Sequence, residues 1–178
     1  MRVDARKHRQ DLIEAASKVF AAKGHMTPLQ DVLTEAGLGR GTLYRHFSDR
    51  ASLIMAVITF ELGRTLEDVK KRSGDPSLLP DFLEMQSRCA SVHLPAIASW
   101  DGERLQCFIE NIEPTLNSIL ESVLASARKA GQIRPDLSVD DLRLAIKMLS
   151  TAGVSYASGE GNEPLSRAIK MILRGLVP

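Results

Sequence analysis

Basic and hydrogen-bonding side chains are concentrated in one short segment of this 178-residue chain. Arg40, Arg45 and Arg50 fall within eleven positions together with His46, and Asp49 is the only acidic residue among them. Side chains of these types bind phosphate oxygens, and arginine also donates two hydrogen bonds to O6 and N7 of guanine. We therefore predict a contact surface for double-stranded DNA, formed by Thr27, Arg40, Gly41, Thr42, Tyr44, Arg45, His46 and Arg50.

The net charge of the whole chain conceals this segment. With 23 Lys and Arg against 22 Asp and Glu, the formal charge is +1. Residues 1–50 hold nine basic and six acidic side chains, whereas residues 51–178 hold 14 and 16. The basic excess belongs to the first third of the chain, so a near-neutral total does not exclude a polyanionic partner.

The spacing of apolar residues predicts helices almost everywhere and no convincing strand, so we expect an all-α fold of about nine helices. Thr27 and Pro28 are typical of an N-cap and the first residue of a helix, which Gly37 ends. A second short helix follows, with Leu43 and Phe47 as its apolar anchors and its outer face left free. Two short helices joined by a glycine-containing turn form a helix-turn-helix, whose second helix enters the major groove of DNA.

Three stretches carry a resemblance to a known family. They are Phe20-Ala21-Ala22-Lys23-Gly24, then Gly37-Leu38-Gly39-Arg40-Gly41-Thr42-Leu43-Tyr44-Arg45-His46-Phe47, then Leu53 with Ala56-Val57. Over residues 8–60 the chain resembles the TetR/AcrR family of bacterial regulators. The resemblance implies an all-helical homodimer: three N-terminal helices bind a palindromic operator, and the remaining helices bind a small-molecule effector and dimerise. It also implies that Tyr44 contacts phosphate and that Arg50 replaces the lysine that usually opens the fourth helix.

Some positions depart from the usual pattern of this family. Gly39 stands where a serine commonly caps the recognition helix, and Val32 and Leu33 replace the usual Ile-Ala pair. The glycines have geometric roles of their own: we expect Gly41 to allow a close approach of two backbones and Gly39 to adopt unusual dihedral angles. The departures concern the identity of the operator more than DNA binding itself.

The rest of the chain is expected to bind the effector and to dimerise, so we divide the chain into domains 1–49 and 50–178. We expect Pro95 and Pro114 to interrupt the helices over about residues 80–125 and to leave a cavity there. The predicted effector ligands are soft and aromatic side chains: Phe82, Met85, Cys89, Trp100 and Phe108. The predicted dimer interface is a four-helix bundle of the last two helices of each copy, formed by Leu142, Ile146, Leu149, Gly153, Leu165, Ile169 and Ile172.

A second interpretation is a metal- or thiol-responsive sensor on the same scaffold. Cys89 and His93 are four residues apart, which places them on one helix face, and Cys107 is a candidate third ligand. Cysteines on apolar helix faces are usually inert core residues, so the leading interpretation includes no metal and no cofactor. An enzyme is disfavoured because the sequence lacks a nucleophile elbow, a P-loop and a His-Glu-x-x-His motif.

The composition favours a cytoplasmic protein without a membrane partner. Two cysteines are too few for a disulfide scaffold, and no uncharged apolar run approaches the roughly 18 residues of a membrane span. The first ten residues are polar and charged, unlike a secretory signal. Taken together, the sequence predicts a DNA-binding transcription factor, most simply a ligand-responsive repressor that acts as a homodimer.

Overall fold

The computed structural model describes residues 2–156 and 163–176; for residues 2, 3, 91, 151–156 and 163–165 it describes the backbone only. Within that part of the chain every regular element is an α-helix, which confirms the all-α prediction. The helices are α1 (Arg2–Lys23), α2 (Leu29–Ala36), α3 (Arg40–His46), α4 (Arg50–Lys71), α5 (Leu78–Ile97), α6 (Gly102–Lys129), α7 (Val139–Tyr156) and α8 (Glu163–Leu176).

The first hydrophobic core is shared by α1, α2, α3 and the start of α4. α1 contributes one apolar face through Leu12, Ala16 and Phe20, all of them almost completely buried. Gly37 ends α2 with φ 65°, a left-handed conformation that favours glycine, and begins the turn to α3. α3 is so short that Leu43 is its only buried residue. The predicted helix-turn-helix is therefore present, and its second helix is held by few contacts.

α4 joins this first core to a second one. A capping box fixes its N-terminus: Ser52 N donates to Asp49 Oδ1 over 2.7 Å, and Asp49 N donates to Ser52 Oγ over 3.3 Å. The first half of α4 packs Leu53 and Val57 into the first core, whereas its end packs Val69 into the second. Because one helix belongs to both cores, a rotation of α4 changes the packing of both.

The second core lies among α5, α6, α7, α8 and the end of α4. Its largest fully buried side chains are Phe82, Leu78, Leu83, Ile119, Leu120 and Leu149. In the described part of the chain, no helix combines the length and the apolar character that crossing a bilayer requires.

Pro95 and Pro114 lie inside α5 and α6 and do not interrupt them, contrary to the prediction. The residues on both sides of Pro114 form the single helix α6, so the described residues contain eight helices and not the predicted nine. A proline inside a helix costs about 3 kcal/mol because it removes one hydrogen bond and crowds the preceding turn. α6 tolerates this cost because Phe108 is buried in the first core and Ile119 in the second, which holds both halves on one axis.

Asp49 provides a test of how α4 begins. Asp49→Ala removes the acceptor for Ser52 N and the 3.1 Å ion pair with Arg104, so we expect it to lower the free energy of unfolding by about 1 kcal/mol. Asp49→Asn retains an acceptor at the cap and should recover most of this loss. Denaturant unfolding followed by circular dichroism measures both. Equal stability of the wild type and Asp49→Ala would contradict the assigned capping role.

Candidate nucleic-acid interface and adjacent cavity

α3 presents its basic side chains at the protein surface. Leu43 and Phe47 are buried and anchor this segment in the first core. On the other side of α3, Arg40, Tyr44 and Arg45 are exposed, and Tyr44 retains 59% of its accessible surface. A short helix that buries two anchors and exposes a basic face has the shape that a recognition helix needs in the major groove.

Gly39 and Gly41 begin α3 in ordinary geometry, which corrects two expectations. Gly39 has φ −89°, a value that any residue adopts, and as the N-cap it supplies no side-chain hydrogen bond. A Cβ on Gly41 would meet no described atom within 4 Å, so no close backbone approach inside the protein requires this glycine. Gly41 instead leaves the exposed first turn of α3 without side-chain bulk.

Thr27 and His46 are less accessible than predicted. Thr27 is buried and donates its hydroxyl to Asp31 over 3.3 Å, while Pro28 takes the N-cap position of α2 that was expected for Thr27. His46 is half-buried, and its Nε2 is buried without a hydrogen-bond partner among the described residues. Burial lowers the pKa of His46 most, followed by the positive charge of Arg45. The His46 ring is therefore neutral at neutral pH and adds no charge to this surface.

Arg50 connects the start of α4 to the loop between α1 and α2. Its Nη1 donates to the carbonyl oxygen of Thr27 over 2.8 Å and also to the carbonyl oxygen of His25. The side chain is part-buried, and these two bonds hold it in place. A phosphate contact by Arg50 stays a prediction. Such a contact would share the guanidinium with a bond that the fold already uses.

α1 adds basic residues that the sequence analysis did not assign to this surface. The Arg9 guanidinium carbon lies 5.2 Å from the centroid of the Phe47 ring, so the beginning of α1 reaches the end of α3. Arg6 and Lys7 precede Arg9 and are exposed. These residues are part of the basic excess counted for residues 1–50. Their position beside the recognition helix follows only from the packing of α1 on α3.

A chain of three hydrogen bonds, one buried and two part-buried, links α1, the α1–α2 loop, α4 and α5. Ser17 Oγ donates to Glu61 Oε1 over 2.7 Å, and Glu61 Oε2 lies 2.8 Å from His93 Nε2. His93 Nδ1 lies 2.7 Å from His25 Nε2. We call these four side chains the Glu61 relay. The two residues joined by each hydrogen bond are between 32 and 68 positions apart in the sequence. The spacing of residues along the sequence therefore did not reveal the Glu61 relay.

The charge states of Glu61 and His25 limit where the protons of the Glu61 relay lie. Burial raises the pKa of Glu61, but hydrogen bonds from His93 and Ser17 outweigh it and the net shift is downward, so Glu61 is a carboxylate. Burial and the neighbouring His93 lower the pKa of His25 to about 4, so its ring is neutral. His93 Nε2 therefore donates to Glu61 Oε2, and one proton lies between His93 Nδ1 and His25 Nε2, which are 2.7 Å apart. His25 Nδ1 is buried without a partner in the described structure.

A cavity of about 580 Å³ opens beside the Glu61 relay, between α1, α4 and α5. Glu61 and His93 form part of its wall, and Arg64 and Arg88 add positive charge. Burial and the Glu61 carboxylate raise the pKa of the Cys89 thiol, another wall residue, to about 11. The volume lies within the range of small-molecule sites in proteins, and the wall combines apolar and polar groups as such sites do.

The five predicted effector ligands do not meet at one site. Met85 and Cys89 line the cavity of about 580 Å³, but Phe82 is buried in the second core. Trp100 and Phe108 lie elsewhere and pack edge to face, with ring centroids 5.2 Å apart. Phe108 lines a separate cavity of about 450 Å³ that also contains Cys107. Cys107 is therefore not the third ligand expected beside Cys89 and His93.

The predicted dimer residues of α7 and α8 face the protein's own core. Leu142, Leu149 and Ile169 are buried in the second core, and Ile146 and Ile172 pack against it. Gly153 and Leu165 lie outside the residues whose side chains are described. The helical spacing identifies this stripe as an apolar face, and the fold covers its described residues with the protein's own core. Among the side chains of these two helices that the structure describes, the large apolar ones that are exposed are Leu144, Met148 and Met171.

Comparison with known proteins agrees with this architecture. Residues 12–57 match the family described as bacterial regulatory proteins, tetR family. The HTH-type transcriptional repressor AcnR of Corynebacterium diphtheriae is 25% identical over 170 residues, covering 92% of this chain and 88% of that protein.

Two solved structures have the same fold over almost the whole chain. The TetR transcriptional regulator SCO0520 of Streptomyces coelicolor has a TM-score of 0.69 at 24% identity, covering 96% of this chain and 98% of that one. The transcriptional regulator FadR of Bacillus subtilis, in complex with stearoyl-CoA, has a TM-score of 0.64 at 19% identity and covers 94% and 97%. With its helix-turn-helix and its exposed recognition helix, the chain carries in residues 12–57 the DNA-binding region of the tetR family, and the relatives that it resembles over almost its whole length are transcriptional regulators and not enzymes.

Proposed function

We propose that this protein is a repressor that binds a pseudo-palindromic operator as a homodimer and is released by a small-molecule effector. In this proposal residues 1–49 bind the operator, and residues 50–178 bind the effector and dimerise. The exposed basic face of α3, held by two buried anchors, is the observation that carries the proposal. Arg40, Tyr44 and Arg45 contact DNA directly, and the basic start of α1 adds phosphate contacts.

Dimerisation through α7 and α8 is supported by their exposed apolar side chains. Leu144 and Met148 are one turn apart on α7 and are 57% and 58% exposed, while Met171 on α8 is 65% exposed. A patch of large apolar side chains on the surface is typical of a protein–protein interface. A two-fold dimer through this patch presents two copies of α3, as an operator with two half-sites requires.

Effector control is supported by the position of the cavity of about 580 Å³. Its wall includes Glu61 and His93, and His93 is hydrogen-bonded to His25 in the loop that Arg50 also holds. A molecule bound in the cavity therefore contacts the groups that connect α4 and α5 to the DNA-binding helices. FadR, in its complex with stearoyl-CoA, is a protein of this fold that holds a small molecule. An effector must bind the DNA-free conformation more tightly, because only differential affinity shifts the equilibrium.

Selection of fragments from random duplex DNA with the purified protein tests the proposal as a whole. We expect the enriched fragments to contain two inverted half-sites whose centres are about 34–36 Å apart, which is one turn of B-DNA. Enrichment of no common sequence would contradict specific operator binding, and a single unrepeated half-site would contradict the dimer.

Variants of α3 test the assigned DNA face. Arg45→Ala should weaken binding to the selected operator by about 1–3 kcal/mol if it contacts a base, and Tyr44→Phe should weaken it by removing a phosphate contact. Fluorescence anisotropy with labelled operator measures both affinities. Lys70→Ala, which removes an exposed basic side chain at the end of α4, is the matched control and should bind like the wild type. Wild-type affinity in both α3 variants would show that α3 does not read the operator.

Substitution of Arg50 distinguishes a contact with DNA from a contact within the fold. Arg50→Ala removes the bonds to the His25 and Thr27 carbonyls, so we expect the free energy of unfolding to fall by about 1.5–3 kcal/mol. Arg40→Ala removes an exposed side chain and should leave stability unchanged. If Arg50 also contacts phosphate, its loss reduces the salt dependence of DNA binding by about one unit. Unchanged unfolding of Arg50→Ala would contradict its role in holding the loop.

Charged substitutions on α7 test the dimer. The double variant Leu144→Asp with Met148→Asp places two carboxylates in the proposed interface, so we expect a monomer in sedimentation velocity and a large loss of operator affinity. Ile109→Asp changes an exposed apolar side chain on α6 and should remain a dimer. A double variant that sediments like the wild type would place the dimer contact elsewhere.

A further inference from the structure

Three side chains with metal-binding atoms meet in the wall of the cavity of about 580 Å³. Glu61 comes from α4, whereas Cys89 and His93 come from adjacent turns of α5. One sulfur, one ring nitrogen and one carboxylate oxygen lie within 4.8 Å of one another. Among the residues that the structure describes, this is the single cluster of three such groups. Its members are half-buried or buried, which distinguishes it from the acidic clusters common on protein surfaces.

We propose that Glu61, Cys89 and His93 bind a divalent transition-metal ion of the zinc class, and that this ion is an effector of the repressor. The effector role rests on the function proposed above, but the metal site itself does not. A thiolate, an imidazole and a carboxylate are the ligands that zinc takes in proteins, whereas magnesium and calcium prefer oxygen alone. Three protein ligands leave a fourth position of a tetrahedral ion open toward the cavity.

The present spacing of the three ligand atoms must change when an ion binds. Zinc–ligand bonds of roughly 2.0–2.3 Å in a tetrahedral arrangement place the ligand atoms about 3.5 Å apart. Glu61 Oε2 and His93 Nε2 are 2.8 Å apart, which is closer than this, whereas the three atoms together span up to 4.8 Å. Binding therefore breaks the Glu61–His93 hydrogen bond, moves these two atoms apart and brings the Cys89 sulfur up to the ion. Since Glu61 lies on α4 and the other two ligands lie on α5, the ion replaces a direct hydrogen bond between these helices with a bridge through itself.

The residues behind the ligands have the arrangement of a second coordination shell. A histidine that binds a metal usually donates the proton of its other ring nitrogen to a neighbouring group, which fixes the orientation of the ring. His25 Nε2 stands 2.7 Å from His93 Nδ1, and Ser17 Oγ holds the free oxygen of Glu61 at 2.7 Å. Both outer groups belong to α1 or to the loop after it, so they connect the site to the DNA-binding helices.

Metal binding fixes where the protons of this cluster lie. The ion takes the lone pair of His93 Nε2, so that ring donates its remaining proton from Nδ1 to His25 Nε2, 2.7 Å away. The Cys89 thiol releases one proton to solvent as its sulfur binds the ion. The bond between Glu61 and His93 is lost in the same step, which changes the contact between α4 and α5.

Direct metal binding is the first part of the test. Chelator-treated protein is titrated with Co²⁺, whose thiolate complexes absorb in the near ultraviolet, and with Zn²⁺ by calorimetry. We expect one ion per chain, a sulfur-to-cobalt band in the wild type, and loss of that band with at least tenfold weaker binding in Cys89→Ser. Cys107→Ser is the matched control because Cys107 is exposed in the other cavity, and it should bind like the wild type.

Glu61→Gln and His93→Gln test the other two ligands, and circular dichroism establishes whether each variant folds. Each folded variant should bind Co²⁺ at least tenfold more weakly while Cys89 still contributes its band. Absence of saturable binding to the wild type, or a cobalt band that survives Cys89→Ser and disappears in Cys107→Ser, would overturn the site.

Operator binding is measured separately with and without Zn²⁺. We expect Zn²⁺ to weaken operator binding by the wild type about 5- to 150-fold, the usual range of allosteric coupling, and to leave Cys89→Ser unaffected. Metal binding through Cys89 without any change in operator affinity would overturn the effector role. Failure of the metal-free protein to bind any operator would contradict the proposed function instead, and the cobalt titration would still report on the site.

Discussion

The half-buried carboxylate of Glu61 is the constraint on which the arrangement of the helices depends. A charged group inside a protein is stable only when it is hydrogen-bonded, and the partners of Glu61 come from other parts of the chain. Ser17 holds one oxygen from α1 and His93 holds the other from α5, with His25 behind it in the α1–α2 loop. Apolar contacts alone would allow these helices to slide, whereas hydrogen bonds of 2.7–2.8 Å fix their relative positions.

α4 connects the Glu61 carboxylate at the cavity to the DNA-binding helices. Arg50 at its N-terminus holds the carbonyl groups of the loop that precedes α2, while Glu61 three turns later faces the cavity. The same helix packs into both hydrophobic cores, so the cores cannot move independently of it. A change at the cavity therefore reaches α3 through a single rigid element and two sets of polar bonds. In the proposed dimer, coupling of this kind requires no change in the internal structure of α3, only a change in its position relative to the partner copy.

The features that sequence reasoning predicted are those fixed by neighbouring residues. The turn at Gly37 and the anchors Leu43 and Phe47 depend on contacts within a few positions. A helical period identifies an apolar face but not the partner that covers it, which is why Leu142 and Leu149 were assigned to a dimer and are found in the core. The expected interruptions at Pro95 and Pro114 are absent for a related reason. Burial of other residues of the same helices in the hydrophobic cores outweighs the local cost of each proline.

The cavity wall shows most clearly what only the fold provides. Spacing along α5 correctly placed Cys89 and His93 on one face, but the third group beside them is Glu61 from another helix and not Cys107. No pattern in one sequence pairs positions 61 and 93, because that pairing results from the way α4 and α5 cross. A carboxylate that is satisfied on one side by the fold and borders a cavity on the other is well placed for control. It is stable without a ligand, yet any cation or hydrogen-bond donor that enters the cavity competes with His93 for it and disturbs the contact to the DNA-binding helices.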